Sequence, residues 1–264
     1  MKKLIALVLA IVMMMGIASV AFAEDTSLDK IKTAGVLKLG LDVGFAPMGF
    51  YEEGTDNIIG FDIDLAAAVC EELGVTLELV PIAWDAKELE LNGGNIDCIW
   101  NGMSITPERE ASMTMSDAYM NNYITLLVPE GTAKTKADLA GKTVGLQNGS
   151  FAEDCVNADE EFKASLKEVV GYENYVDAIM DLKNGNLDAI AIDDVVANYE
   201  IQQGLEGYEL IDNLGDDLYG IGFRKGEYAL AGAVQEILFN MEKDGRMATI
   251  CEKWFGEDLF LIGK

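Results

Sequence analysis

The chain is 264 residues long, half of them hydrophobic and a quarter charged, which is the composition of a globular and not a disordered protein. Its formal net charge of −27 repels nucleic acid and anionic lipid, and no basic stripe offsets it. Histidine is absent altogether, which excludes the usual zinc sites, histidine general bases and Ser-His-Asp catalysis.

The first residues, Met1-Lys2-Lys3, precede an apolar run from Leu4 to about Ala18 and then Ala21-Phe22-Ala23. A basic start, an apolar middle and an A-x-A end describe a secretory signal peptide, residues 1–23, cut after Ala23. No other stretch is long and apolar enough to span a bilayer. The mature chain is therefore expected to be periplasmic or extracellular. Export permits disulfides, and the four cysteines, Cys70, Cys98, Cys155 and Cys251, allow three pairings between which the sequence does not choose. Cys98 lies in an apolar strand and Cys70 in an apolar helix pattern, so buried thiols are the default reading.

After a short helical pattern around Leu28 and Ile31, Val36 to Leu41 alternates as a strand and enters the loop DVGFAPMGF, with Asp42 and Phe45 at the strand end. Gly60 to Leu73 has apolar residues at helical spacing and is stopped by Gly74. Val75 to Val80 is a strand, and Ile82-Ala83-Trp84-Asp85 leads into a helix through Leu91. The stretch DCIWNGMSITPER follows, from Asp97 to Arg109. Ile96 to Trp100 is expected to be a buried strand stopped by an Asn101-Gly102 turn. Thr106, Pro107 and Glu108 then read as N-cap, first helical position and first-turn acid. Arg109 opposes the helix dipole in that position. It either grips a carboxylate in two-pronged fashion beside free backbone N–H groups, or is a solvated arginine paired with Glu108, Glu110 or Asp117.

A repeat relates the two halves of the chain: LNGGNIDCIWNG from Leu91 matches LKNGNLDAIAID from Leu182, aligning Asp97 with Asp188 and Gly102 with Asp193. GVLKLGLD from Gly35 and GKTVGLQNGS from Gly141 correspond in the same way. Two lobes of similar α/β build follow, each presenting polar residues at the carboxyl ends of its strands, where open α/β sheets bind ligands. The second half contributes a strand at Ile124 to Val128, a polar loop from Glu130 to Asp138, a capping box at Ser150 and Glu153, a helix from Tyr172 to Leu182, and a strand ending at Asp193-Asp194. Asp212 to Tyr219 is an acidic, glycine-broken second crossing, with paired acids at Asp216 and Asp217 read as surface. Ile221 to Arg224 is a short strand, and two amphipathic helices, Leu230 to Met241 and Arg246 to Phe255, follow.

Enzyme and cofactor motifs fail. Gly141-Lys142-Thr143 lacks the upstream glycine of a phosphate loop, and Gly220, Gly222 and Gly226 have the wrong spacing for a dinucleotide fingerprint. Asp62 and Asp64 begin like a calcium loop but lie in a helical pattern.

In their order and spacing, GFDIDLAAAV, GMSITPER, DLAGKTVGLQNGS, NGNLDAIAIDD, YGIGFRKG and DGRMATICEKWFG resemble the extracellular amino-acid-binding proteins of ABC importers. The resemblance covers essentially the whole mature chain. It implies a two-lobed α/β fold of the type II periplasmic-binding-protein kind, each lobe a mixed sheet flanked by helices, joined by two hinge strands. The lobes would be 24–118 with 219–264, and 119–218. It further implies that Arg109 holds a ligand's α-carboxylate, with Ser104 and the backbone at Gly102 completing the carboxylate and amino contacts. Asp193 would hold the α-ammonium, and Phe45 and Trp84 would sandwich the side chain unless they are simply core. Asp42, Gln147, Ser150 and Phe151 fall where family members read the side chain or close the second lobe's loop. The chain departs from the family at Phe151, where a small residue is common and an aromatic would narrow the pocket, and no lipobox precedes the mature start.

The expected ligand is thus a polar L-amino acid, neutral polar or cystine favoured and basic accommodated by Asp42. Glutamate and aspartate are set aside because no further cation stands among the matched positions. The expected partners are that ligand and an ABC permease, with no nucleic acid, cofactor or metal, and a monomer suffices. The alternative is a cyclohexadienyl-type dehydratase on the same fold, which needs a protonated carboxyl in the cleft.

Overall fold

The computed structural model describes residues 24–263; the expected signal peptide, 1–23, lies outside the described residues. The strands are β1 (Val36–Leu41), β2 (Gly44–Phe45), β3 (Gly49–Tyr51), β4 (Ile58–Ile59), β5 (Thr76–Pro81), β6 (Cys98–Ser104), β7 (Met113–Met115), β8 (Met120–Pro129), β9 (Thr143–Gln147), β10 (Glu168–Tyr172), β11 (Ala189–Asp193) and β12 (Tyr208–Arg224). Nine of them form one sheet in the order β10-β9-β11-β8-β12-β6-β1-β5, with β7 also on β12, while β2, β3 and β4 make a small separate sheet.

The order divides at β8 and β12. On one side β1 runs parallel to β5 and β6, and on the other β9 runs parallel to β10 and β11. Parallel neighbours need crossover connections. The helix Lys87–Gly93 makes one between β5 and β6, and Tyr175–Lys183 makes one between β10 and β11. The two crossings expected from sequence are β8 and β12, which pair antiparallel from Met120↔Tyr219 to Tyr208↔Pro129. Their pairing, interrupted by register shifts between Ile211 and Gly215, joins the two half-sheets into one sheet.

The sequence repeat has a physical counterpart. Asp97 N–H donates to Lys38 O and its carboxylate accepts from Lys38 N–H at 3.0 Å. Asp188 repeats both bonds on Thr143, with the carboxylate bond at 2.9 Å. Each aspartate also meets a cation, Arg224 at 3.0 Å and Lys142 at 3.2 Å. The same side chain therefore ties the start of the third strand to the first in both halves.

Several boundaries differ from expectation. Asn101-Gly102 does not end β6, which continues to Ser104. Gly102 takes φ +55° inside the strand, and its N–H donates to the buried Asp62 carboxylate at 2.8 Å. The same oxygen accepts the Tyr119 hydroxyl at 3.0 Å, so the glycine bends the strand without freeing a donor. The acidic 212–219 segment and the short strand after it are one 17-residue strand, β12. Strand β10 and the helices Glu160–Ser165 and Asp194–Gln202 were not anticipated from the pattern. At Ser150 the box is displaced by one residue. Ser150 Oγ accepts from Glu153 N–H at 3.2 Å, but Glu153 Oε2 accepts from Gly149 N–H at 2.7 Å. The four cysteines form no disulfide, and no helix among the described residues is long and apolar enough to cross a membrane.

Candidate functional site

The carboxyl ends of β1 and β6 face those of β9 and β11, and most of the anticipated polar residues meet there. Asp42, one residue past β1, donates its N–H to Asn101 Oδ1 at 3.0 Å. One carboxylate oxygen accepts from Gly44 N–H at 2.8 Å, and the other accepts from Gln147 Nε2 at 2.7 Å. Gln147 ends β9, so this bond joins the two halves. Burial pushes the Asp42 carboxyl up from its ordinary value.

Arg109 is buried at 5 % exposure. Thr106 caps its helix as expected, accepting from Arg109 N–H at 3.2 Å. The guanidinium donates to Ser104 O at 2.8 Å and across the cleft to Gly149 O at 3.2 Å. Glu108, Glu110 and Asp117 form no ion pair with it, so the solvated reading fails. Two of its five N–H donors are used on carbonyls, which leaves a fork for an anion.

Asp193 ends β11. One of its oxygens accepts from Asn122 Nδ2 and from the Tyr219 hydroxyl, both at 2.7 Å. The other accepts from the Tyr175 hydroxyl at 3.1 Å. Burial, then the charge of Asp217, pushes its carboxyl up to about 7. Asn122 Nδ2 also donates to Asp217 Oδ2 at 2.8 Å, where Ser104 Oγ donates at 3.0 Å. Asp217 is buried and not on the surface, which corrects the reading of the 216–217 pair.

The aromatics divide. Phe45 lies 5.9 Å, centroid to centroid, from Tyr175 of the opposite half. It also crowds Gly102, where a Cβ would come within 2.6 Å of Phe45 Cε1. Trp84 is 5 % exposed and packs in another cluster, with Leu91, Ile96, Ile99, Met103 and Met113. Phe45 and Trp84 thus belong to different clusters. Ser150 is buried, its hydroxyl donating to Gln147 O at 2.8 Å. Phe151 packs against the core of the second half, near Gly215.

Sequence reasoning missed Asn122, Tyr175, Asp217, Tyr219 and above all Lys87. Lys87 is 5 % exposed. Its ammonium donates to Trp84 O at 3.1 Å and across the cleft to Gly149 O at 2.9 Å, with the Trp84 ring centroid 5.0 Å away. Burial first, then the charge of Arg109, pulls its ammonium down to about 8. The spacing of Trp84, Lys87 and Leu91 was the available signal, since it puts all three on one helical face. A cavity of about 430 Å³ opens elsewhere, lined by Pro47, Tyr123, Asp194, Tyr199, Trp254 and Phe255, and contains none of the anticipated ligand residues.

Chemically, the cleft offers a cationic end, Arg109 with Lys87, and an acidic end, Asp193 with Asp217, supplied from opposite halves of the sheet and its crossing strands. The L-cystine-binding protein TcyJ of Escherichia coli (strain K12) is 30 % identical over 96 % of this chain and 94 % of its own length. A solved ABC uptake transporter substrate-binding protein from Streptococcus pneumoniae, with histidine bound, superposes with TM-score 0.86 at 37 % identity, over 90 % of this chain and 99 % of that one. An ancestral amino-acid-binding protein, described as a precursor of cyclohexadienyl dehydratase, superposes with TM-score 0.79 at 34 % identity, over 87 % of this chain and 99 % of that one. Residues 37–257 match the family model, and the chain belongs to the bacterial extracellular solute-binding proteins, family 3.

Proposed function

We propose that this protein captures a polar L-amino acid by cleft closure and delivers it to an ABC permease. The observation that carries the reading is the opposition of Arg109 and Asp193, both buried, one on the helix that follows β6 and the other at the end of β11 in the opposite half. An amino acid is a zwitterion, and removing both charges from water is costly unless each meets a partner. Arg109, with Ser104 and the Gly102 backbone, would take the α-carboxylate, and Asp193 the α-ammonium. Charge-assisted bonds of this kind contribute about 1.5–3 kcal/mol each. One ligand satisfies both ends only when the lobes, 24–118 with 219–264 and 119–218, are together, so binding shifts an open–closed equilibrium that a permease reads. Phe45, Asp42, Gln147 and Ser150 would surround the side chain, whereas Trp84 and Phe151 pack into the cores of their own halves. Neutral polar or cystine ligands are favoured, and Asp42 accommodates a basic one. In this reading residues 1–23 are removed on export and the mature protein acts as a monomer.

A thermal-shift panel of the twenty amino acids, cystine and ornithine on residues 24–264 tests it. A ligand at 100 times its Kd adds about 2.7 kcal/mol to apparent stability. The shift should vanish in Arg109→Ala; no shift with any of them would sink the assignment.

One observation favours the dehydratase reading. Asp193, with its carboxyl near 7, is available as a protonated acid in a cleft. Against it, the three donors converging on that carboxylate favour its ionised form. Incubation with prephenate, watching for an aromatic product, separates the two.

A further inference from the structure

Lys87 and Arg109 come from different elements of the same half, the helices Lys87–Gly93 and Pro107–Ser112. Both are 5 % exposed. Both reach the same atom, Gly149 O, at 2.9 and 3.2 Å. Their remaining bonds go to carbonyls as well, Trp84 O and Ser104 O. Neither forms an ion pair among the described residues. Glu88, Asp154 and Asp85 act on Lys87, and Asp154, Asp217, Asp193 and Glu88 on Arg109, through space alone. Two buried cations therefore share one neutral acceptor, an arrangement that is costly unless anions arrive to meet them. A carbonyl oxygen has two lone pairs and no net charge, so it hydrogen-bonds both cations and neutralises neither.

An amino acid with one carboxylate brings a single negative charge to this end and leaves one of the two cations without a directly paired anion. We infer that the ligand carries two carboxylates, the α-carboxylate on Arg109 and a second on Lys87, so that Lys87 determines the substrate class. This deepens the proposed amino-acid-binding function and rests on it. Of the side chains favoured above it keeps cystine and drops the neutral polar and basic ones, and it reverses the exclusion of acidic amino acids, which held only while no second cation was known in the cleft. The chemistry is common to short dicarboxylates such as aspartate and glutamate and to cystine, whose two carboxylates lie further apart.

The test compares dissociation constants by calorimetry for ligands of matched shape: glutamate with glutamine, aspartate with asparagine, and cystine with arginine and histidine as long one-carboxylate controls. Wild-type protein should bind at least one two-carboxylate ligand ten or more times tighter than its counterpart. That ratio should collapse at least tenfold in Lys87→Met and survive in Lys87→Arg, which keeps the charge and controls for folding. Which pair shows the ratio reports the spacing of the second carboxylate. A wild-type preference for the one-carboxylate members, or a ratio unaltered in Lys87→Met, overturns the inference while leaving the amino-acid reading intact. If no amino acid binds wild-type protein, both fall together.

Discussion

In the proposed function Asp193 holds the ligand's ammonium and so sets the pH range of binding, and its surroundings give the size of the effect. Burial, followed by the charge of Asp217, raises its carboxyl from 3.8 to about 7. A gripped ammonium requires the ionised form, so below about pH 7 each unit weakens binding tenfold, equivalent to about 1.4 kcal/mol. Between pH 7.5 and 5.5 the Kd of an amino-acid ligand should rise by roughly twenty- to thirty-fold. Stability without ligand moves the other way. The unfolded carboxyl ionises near 3.8 and the folded one near 7, so this group's contribution is fully present below 3.8 and is lost as pH rises through about 7. The share of that loss falling between pH 5.5 and 7.5 is about 2 kcal/mol. Asn122 donates to both Asp193 and Asp217, and the charge of Asp217 is part of what raises Asp193. Calorimetry across this range at constant ionic strength measures the slope, and Asp193→Asn should bind weakly with no slope. A flat wild-type profile refutes the reasoning, and a slope that persists in Asp193→Asn transfers it to Asp217, Asp42 or the remote Asp62.

Asp62 is buried beneath Gly102 with its carboxyl raised by burial to about 7. Asp62→Asn should therefore flatten the fall in melting temperature between pH 6 and 8. Gly102→Ala forces a side chain into φ +55° and against Phe45 Cε1; we expect a loss of about 1–3 kcal/mol in urea melts together with weaker ligand binding. Arg224 donates to Leu91 O, Ile96 O, Asp97 and Glu227. Arg224→Met strands those acceptors and should cost about 2–4 kcal/mol of stability, with Kd changed less than threefold, since Arg224 itself bonds none of the residues assigned to the ligand.

The elements whose pattern is local were legible. The helix predicted at Gly60 to Leu73 is Phe61–Leu73, and Thr106 caps Pro107–Ser112 as its sequence demands. The repeat was legible too, because Asp97 and Asp188 make the same two backbone bonds in each half. Asn101-Gly102 misled because its turn chemistry is local, whereas pairing with β12 and the Asp62 acceptor act from far along the chain. Tertiary context decided against the dipeptide.

The cleft residues that escaped notice share one cause: the pattern was read by residue type before it was read by period. In β12, residues 217, 219, 221 and 223 are buried, while 216 and 218 are exposed. Strand alternation thus places Asp217 inward with Tyr219 and turns Asp216 outward. Taken as an acidic pair in an acidic chain, the two looked equivalent. Lys87 is the same lesson at helical period, an inward position filled by a charge. A charge on an inward-facing position of a cleft element is expensive to bury, and that expense is the reason to look for what it binds. At this end of the cleft two cations bond three carbonyl oxygens and no carboxylate, and it is this arrangement, more than any single contact, on which the proposal of a second ligand carboxylate rests.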